Sequence, residues 1–276
     1  MVQRYEININ YQLSILNYFV SLHTNMEFQV IHIDETDSTN LWLRNSLGTV
    51  LSESSLKNSL RTVPSELCVV AEYQTAGKGC GSNSWESERG KNLTFSMLIH
   101  PEGLPANQQF RITELTSVAL CETLKHYIYN NKVSIKWPND IYVDDRKICG
   151  MLIENRLQGN VIKDSIIGIG LNVNQREFKS DAPNPVSLYQ LTGQETDLDE
   201  LLNRFLTAFD TVWQSKTSCF AYREMLFRKG KPYLYKDKTS CFAASLIGVE
   251  ADGRLILQDE TGQQRTYAFK EIQFVI

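Results

Sequence analysis

The run Lys136-Trp137-Pro138-Asn139-Asp140-Ile141-Tyr142-Val143-Asp144-Asp145-Arg146-Lys147-Ile148 decides how the chain folds. Apolar stretches at 135–137 and 141–143 flank a Pro-Asn-Asp turn. A charged turn at 144–147 then leads into a further strand at 148–155, so the segment reads as paired strands. Upstream, residues 108–129 carry apolar Ile112, Leu115, Val118, Ala119, Leu124 and Ile128 near helical spacing. Downstream, residues 166–173 read as one more strand and 197–228 as largely helical. Further upstream, residues 28–33, 68–72 and 93–99 are short strands. Asp37-Ser38-Thr39-Asn40 opens a helix carrying Leu41, Leu43 and Leu47, with Asp37 or Ser38 as its cap. After Arg228 the pattern changes to short alternating strands with turns at 251–253 and 260–262. Val249, Leu255, Leu257, Tyr267, Phe269, Ile272 and Phe274 supply one buried face of a small β-barrel or sandwich.

The chain has 276 residues, of which 42% are hydrophobic and 22% charged. That balance supports a sizeable core and excludes a disordered, collagenous or membrane-spanning chain. Twenty-eight basic against 32 acidic residues give a net charge of −4, so no general footprint for nucleic acid or an anionic membrane is expected. The six cysteines, Cys68, Cys80, Cys121, Cys149, Cys219 and Cys241, form no CxxC pair, and the four histidines add no ligand spacing. A structural zinc site is therefore not expected, and all but Cys80 read as core. Without a secretory signal, the default is a cytoplasmic protein with free thiols. Residues 1–26 read as an extension or as the product of an upstream start codon. They are too short for a helix-turn-helix domain.

Four segments carry polar chemistry. Gly77-Lys78-Gly79-Cys80-Gly81-Ser82 puts three glycines in five residues beside a cation, which suits a phosphate or carboxylate guest, or a surface turn. It matches neither a Walker A loop nor G-x-G-x-x-G. In Lys136-Trp137-Pro138-Asn139-Asp140 the acidic residue either holds Mg²⁺ beside a nucleotide or belongs to a plain turn. Lys147 either aims an ammonium into a cleft or is a solvated hairpin charge. In Gly168-Ile169-Gly170-Leu171-Asn172-Val173-Asn174 the alternating glycines admit a ligand or accommodate a large neighbour such as Trp137, with the Asn172 and Asn174 amides on one face. There is no G-x-S-x-G elbow, and Cys80 has no fixed histidine partner to make it a nucleophile.

In this order, these segments resemble the biotin protein ligases. The matching runs are Thr36-Asp37-Ser38-Thr39-Asn40, Gln74-Thr75-Ala76-Gly77-Lys78-Gly79, Ser84-Trp85, Lys136-Trp137-Pro138-Asn139-Asp140, Asp145-Arg146-Lys147 through Gly150, and Gly168-Ile169-Gly170-Leu171-Asn172. The resemblance implies an α/β (α+β) fold of the class II aminoacyl-tRNA synthetase/biotin ligase type. Its catalytic domain, a mixed β-sheet with packed helices, would span 27–228 and an SH3-like β-barrel 229–276. It implies ATP, biotin and Mg²⁺ as reactants and cofactor, and a biotin carboxyl carrier protein domain as acceptor. By the same likeness Ser38, Thr39, Asn40 and Gln74 would meet biotin, Trp85 would wall the site, and the Gly77-Lys78-Gly79-Cys80 loop would cover it. Lys147 would neutralise the carboxylate and α-phosphate, with Gly150 beside it. Lys78 would add a loop cation, Asp140 would be the Mg²⁺ and nucleotide-side carboxylate, and Asn172 would face the adenylate.

Two departures stand out. The family loop commonly reads Gly-Arg-Gly-Arg-x-Gly, whereas here Lys78 and Cys80 replace the arginines. The short N-terminal lead implies a ligase without the DNA-binding domain of the repressor members, hence no nucleic-acid or membrane partner. The likeness admits a homodimer formed at a sheet edge. The rival readings are a lipoate or octanoate protein ligase, whose loop is richer in glycine and followed by histidine, and a non-catalytic biotin-binding sensor.

Overall fold

The computed structural model describes residues 26–49, 66–81, 83–180, 183–215 and 218–275. Residues 1–25 of the N-terminal lead lie outside them. Seven strands form the main sheet: β1 (Phe28–Thr36), β2 (Glu66–Gln74), β3 (Leu93–Ile99), β4 (Val133–Lys136), β5 (Asp140–Val143), β6 (Arg146–Gln158) and β7 (Val161–Leu171). Their spatial order is β1-β2-β3-β7-β6-β5-β4. Only β1 and β2 run parallel, so the sheet is mixed, as the resemblance implied. The β5–β6 turn is closed by Asp144 and Asp145, with Asp144 in the left-handed region at φ 52°. Aspartate enters that region more readily than most residues.

Alternation along the strands separates two faces of unlike character. On one face Phe95, Met97, Ile99, Ile167, Ile169 and Leu171 are buried in the main core, together with side chains of α2 (Phe110–Leu124), the short α3 (Leu188–Thr192) and α4 (Leu198–Gln214). Asp197 caps α4 by accepting from the Glu200 amide at 2.9 Å, and Asp199 and Glu200 complement the helix dipole. Phe205 of α4 meets Phe95 edge-on at 5.4 Å between centroids and is 1% exposed. Phe205→Ala is expected to lower unfolding free energy by about 3–5 kcal/mol, read from urea titration. The expected helix at 197–228 is broken after Gln214, and a short α5 (Ser218–Glu224) follows. The helix expected to run to Tyr129 ends at Leu124, leaving Tyr129 exposed.

The other face carries Thr94 and Ser96 opposite Gly170 and Gly168, with Gly150 and Leu152 next across β6. α1 (Thr39–Thr49) covers only part of this face, through Leu43 against Val69, Leu98 and Ile166. The small side chains beside it leave the sheet open.

The C-terminal strands β8 (Pro232–Asp237), β9 (Cys241–Val249), β10 (Leu255–Asp259), β11 (Gln264–Tyr267) and β12 (Ile272–Phe274) form an antiparallel sheet ordered β11-β10-β9-β8-β12. This is the separate small β-unit expected after Arg228, five strands matching the fold that the resemblance implied; no ladder joins its edge strands among the described residues. Val249, Leu255, Leu257, Tyr267 and Ile272 are buried as expected, but Phe269 is 43% exposed. It stands over Trp137 instead, edge to face at 6.3 Å. Trp137 Nε1 also donates to the Gly253 carbonyl at 2.8 Å. Gly253 has φ +94°, and Phe110 occupies the space a side chain there would need. The turn at 251–253 is thus where the second sheet docks on the first.

Candidate active site

A cleft of about 1120 Å³ opens on the small-residue face of the main sheet, beneath the edge of the C-terminal sheet. Of the residues singled out from the sequence, Ser38, Thr39, Asn40, Gln74, Lys78, Gly79, Cys80, Trp85, Asp140, Lys147, Gly150 and Asn172 line it. Gly77 does not. It is buried at the base of the loop, where a methyl would come within 2.7 Å of the Trp85 carbonyl oxygen.

At one end the cleft is neutral and rich in hydrogen-bonding groups. The start of α1 presents buried Ser38, Thr39 and Asn40. Gln74 Oε1 accepts from the Thr39 amide at 2.8 Å, and Ser96 Oγ lies 2.6 Å from both Thr39 Oγ1 and Asn40 Oδ1. Asn40 Nδ2 donates to Glu154 Oε2 at 2.9 Å and to the Leu152 carbonyl at 3.2 Å. Ser96 and Glu154 were not singled out from the sequence. They take part because β3 and β6 place them, through the strand register, beside α1.

The glycine loop is a narrow hairpin. The Trp85 amide donates to Gly77 O at 2.9 Å, and the Gly79 amide to Asn83 O at 2.8 Å. The Gly79 amide is therefore committed to the loop itself and is not open to an anion, contrary to a free cradle of amides. The hairpin lowers Trp85 onto the Gly150–Gly170 cross-strand pair, so closely that any side chain at Gly170 would overlap the indole. Gly168 makes the same allowance for Asn40. The large neighbours that these glycines accommodate are Trp85 and Asn40, not Trp137. Trp85 Nε1 and Asn172 Oδ1 are buried without a hydrogen-bond partner among the described residues. Such groups are costly unless something supplies the missing bond. The Asn172 amide donates to Val186 O, while Asn174 exchanges bonds with Thr196 and is not available to the cleft.

The far end is charged. Lys147, at the start of β6, pairs with Asp140 of β5 at 2.7 Å, both partly buried. Its ammonium lies 5.7 Å from the centre of the Trp85 ring. Behind it Lys136 donates to Tyr142 Oη at 2.9 Å and sits over the Tyr142 and Phe274 rings. Burial pushes the Lys136 ammonium pKa down and the Tyr142 phenol up. Lys136 was given no role from the sequence, although it opens the quoted motif. Among the thiols, Cys68, Cys121 and Cys149 are buried, and burial raises their pKa. Cys80 lines the cleft, Cys241 is exposed rather than core, and the Cys219 side chain lies outside the described residues.

Known proteins resemble this chain in both sequence and fold. The model of the biotin/lipoate A/B protein ligase family matches residues 47–172. The bifunctional ligase/repressor BirA of Bacillus subtilis is 28% identical over 216 residues, covering 74% of this chain and 65% of its own length. The chain thus spans a little under two thirds of that curated relative. The biotin–[acetyl-CoA-carboxylase] ligase of Paracoccus denitrificans is 26% identical over 208 residues, 71% of this chain and 85% of that one. The solved biotin protein ligase from Aquifex aeolicus, in complex with biotin and ATP, superposes with a TM-score of 0.68 at 24% identity. The match covers 89% of this chain and 97% of that one. No helix among the described residues is long and apolar enough to cross a membrane. In its mixed sheet and separate C-terminal sheet the chain shares the fold of the solved biotin protein ligases, and just under half of its length matches the biotin/lipoate A/B protein ligase family model.

Proposed function

We propose that this protein is an ATP-dependent biotin protein ligase. It activates biotin as biotinyl-5′-AMP with release of pyrophosphate, then transfers biotin to one lysine of a biotin carboxyl carrier domain. The observation that carries this reading is the joining, within one cleft, of the neutral Thr39–Asn40–Gln74 end, backed by buried Ser96, to the Lys147–Asp140 end across a floor of glycine. A neutral cyclic urea suits the first end and a carboxylate undergoing activation suits the second. The named relatives and the Aquifex structure support biotin over lipoate or octanoate.

Ser38, Thr39, Asn40 and Gln74 hold the ureido ring, and Trp85 walls the bicycle against Gly150 and Gly170. A biotin carboxylate oxygen attacks the α-phosphorus, and the bond from that phosphorus to the bridging oxygen breaks as pyrophosphate leaves. Lys147 neutralises both anions as they approach. The carrier lysine amine then attacks the acyl carbon and loses a proton, and AMP departs. Asn172, with an unpartnered buried oxygen, faces the adenylate. Positioning and charge carry both steps, and no enzyme nucleophile is needed.

The residues suit a Mg²⁺ that arrives on the triphosphate rather than a protein-built cage. Asp140 is one carboxylate already paired with Lys147, and no group of three potential ligands occurs among the described residues. Magnesium typically keeps waters and substrate phosphates with one or two carboxylates, which fits Asp140 as its protein contact. When bound, it supplies neutralisation of phosphate charge.

The test is transfer itself. Incubation with biotin, ATP, Mg²⁺ and an isolated carrier domain should add one biotinyl group to that domain, seen by intact mass. No added mass, with the carrier shown competent by another ligase, would sink the proposal. The loop adds a second expectation. Cys80→Arg places a guanidinium at the cleft wall, where charge-assisted bonds to phosphate are strong. Release of trapped biotinyl-AMP should slow by roughly tenfold, and an unchanged release rate would remove the loop from adenylate retention.

A further inference from the structure

The C-terminal sheet delivers a lysine to this cleft. Lys270 lies in the turn between β11 and β12, which closes with the Glu271 amide donating to Ala268 O at 3.1 Å. Its backbone has φ +70°, a region that favours glycine and asparagine, so a lysine here is held against its local preference. The side chain reaches the tip of the glycine hairpin, where its Nζ occupies the space that a methyl on Gly81 would need. Lys270 lines the cleft and has no ion-pair partner among the described residues.

The surrounding charges favour an anion. Four lysines line the cleft, Lys78, Lys136, Lys147 and Lys270, against two carboxylates, Glu86 and Asp140. Asp140 is paired with Lys147. Glu86 accepts from the Lys179 and Ser180 amides at 2.9 and 2.7 Å, which commits it away from the loop. Lys136 is tied to Tyr142. Among the described residues Lys78 and Lys270 remain without an ion pair or hydrogen bond from their ammonium groups, one on the hairpin and one facing it from the other sheet, where it lies 5.8 Å from the centre of the Phe269 ring.

We infer that Lys270 is a nucleotide-binding residue: its ammonium closes on the ATP phosphates from the C-terminal sheet, opposite the hairpin that carries Lys78 and Cys80. This deepens the ligase reading and rests on it for the identity of the nucleotide. It makes the C-terminal sheet part of the active site rather than an appendage.

Calorimetric titration of the full-length protein with ATP, in the presence of biotin and in its absence, tests the lysine apart from turnover. Lys270→Gly relieves the backbone while deleting the cation, so thermal stability should hold. ATP affinity should fall roughly ten- to a hundredfold, the usual range for losing a hydrogen bond to a charged group. Biotin affinity should not change, and Lys270→Arg should bind ATP within about threefold of the parent because it keeps the charge. In a Cys80→Arg background the loss from Lys270→Gly should shrink, since a second cation beside Gly81 becomes available. Unchanged ATP affinity in Lys270→Gly would overturn the inference, as would equal losses of ATP affinity, biotin affinity and stability. Parent protein that binds ATP but exchanges no pyrophosphate with biotin would overturn the ligase reading and leave Lys270 standing. Parent protein that binds no ATP would overturn both.

Discussion

Lys147→Ala should lower biotin-dependent pyrophosphate exchange by about 10²–10³-fold, with most of the loss in kcat. Removing one preorganised charge from a developing anionic centre typically has that effect. Lys147 stands at the cleft's charged end, held by Asp140 at 2.7 Å and close to the Trp85 ring. Its position is thus set before substrate arrives. Folding should survive, because the pair is only partly buried and the alanine variant leaves Asp140 access to solvent. Lys147→Arg should recover little, since a planar fork does not replace a compact ammonium against the same carboxylate. Exchange within threefold of the parent in Lys147→Ala would remove this residue from the chemistry.

The second large effect is expected at a residue without a side chain. A methyl on Gly170 would fall 2.5 Å from Trp85 Nε1 and 2.7 Å from Cζ2, closer than real side-chain carbons approach. Gly170 pairs with Thr94 on one side and Gly150 on the other, so the sheet cannot yield and the indole must move. Gly170→Ala should therefore raise the KM for biotin at least tenfold while costing about 1–3 kcal/mol of stability through overpacking. Gly150→Ala meets the same ring at 3.1 Å and should be milder. Biotin binding unchanged in Gly170→Ala would show that Trp85 does not wall the pocket.

These two residues also show what a sequence alone carries. Lys147 was legible because the Asp144-Asp145 turn is local chemistry: charged turn residues between two apolar strands place whatever follows at a strand start. The long apolar helix ending at Leu124 and the strand at 93–99 were legible for the same reason, from periodicity. The partner of Gly170 was not legible. Trp85 reaches it only because the β3–β7–β6 register puts Gly170 and Gly150 side by side and the loop hairpin folds back over them. Register is set by the whole sheet, not by any one strand. Ser96 and Glu154 were missed for that reason, as isolated polar residues in apolar runs. Trp137 was read within its turn, whereas its indole holds Gly253, which is 116 residues away. Lys270 sits in a turn whose sequence gives no sign of what it faces.

ATP–pyrophosphate exchange, run with biotin, lipoate, octanoate or no acid, tests the central claim most directly. Exchange that depends on ATP, Mg²⁺ and biotin, and that lipoate and octanoate do not support, is the predicted result. Exchange driven by lipoate or octanoate, or none with any acid from a protein that still binds biotin, would contradict it.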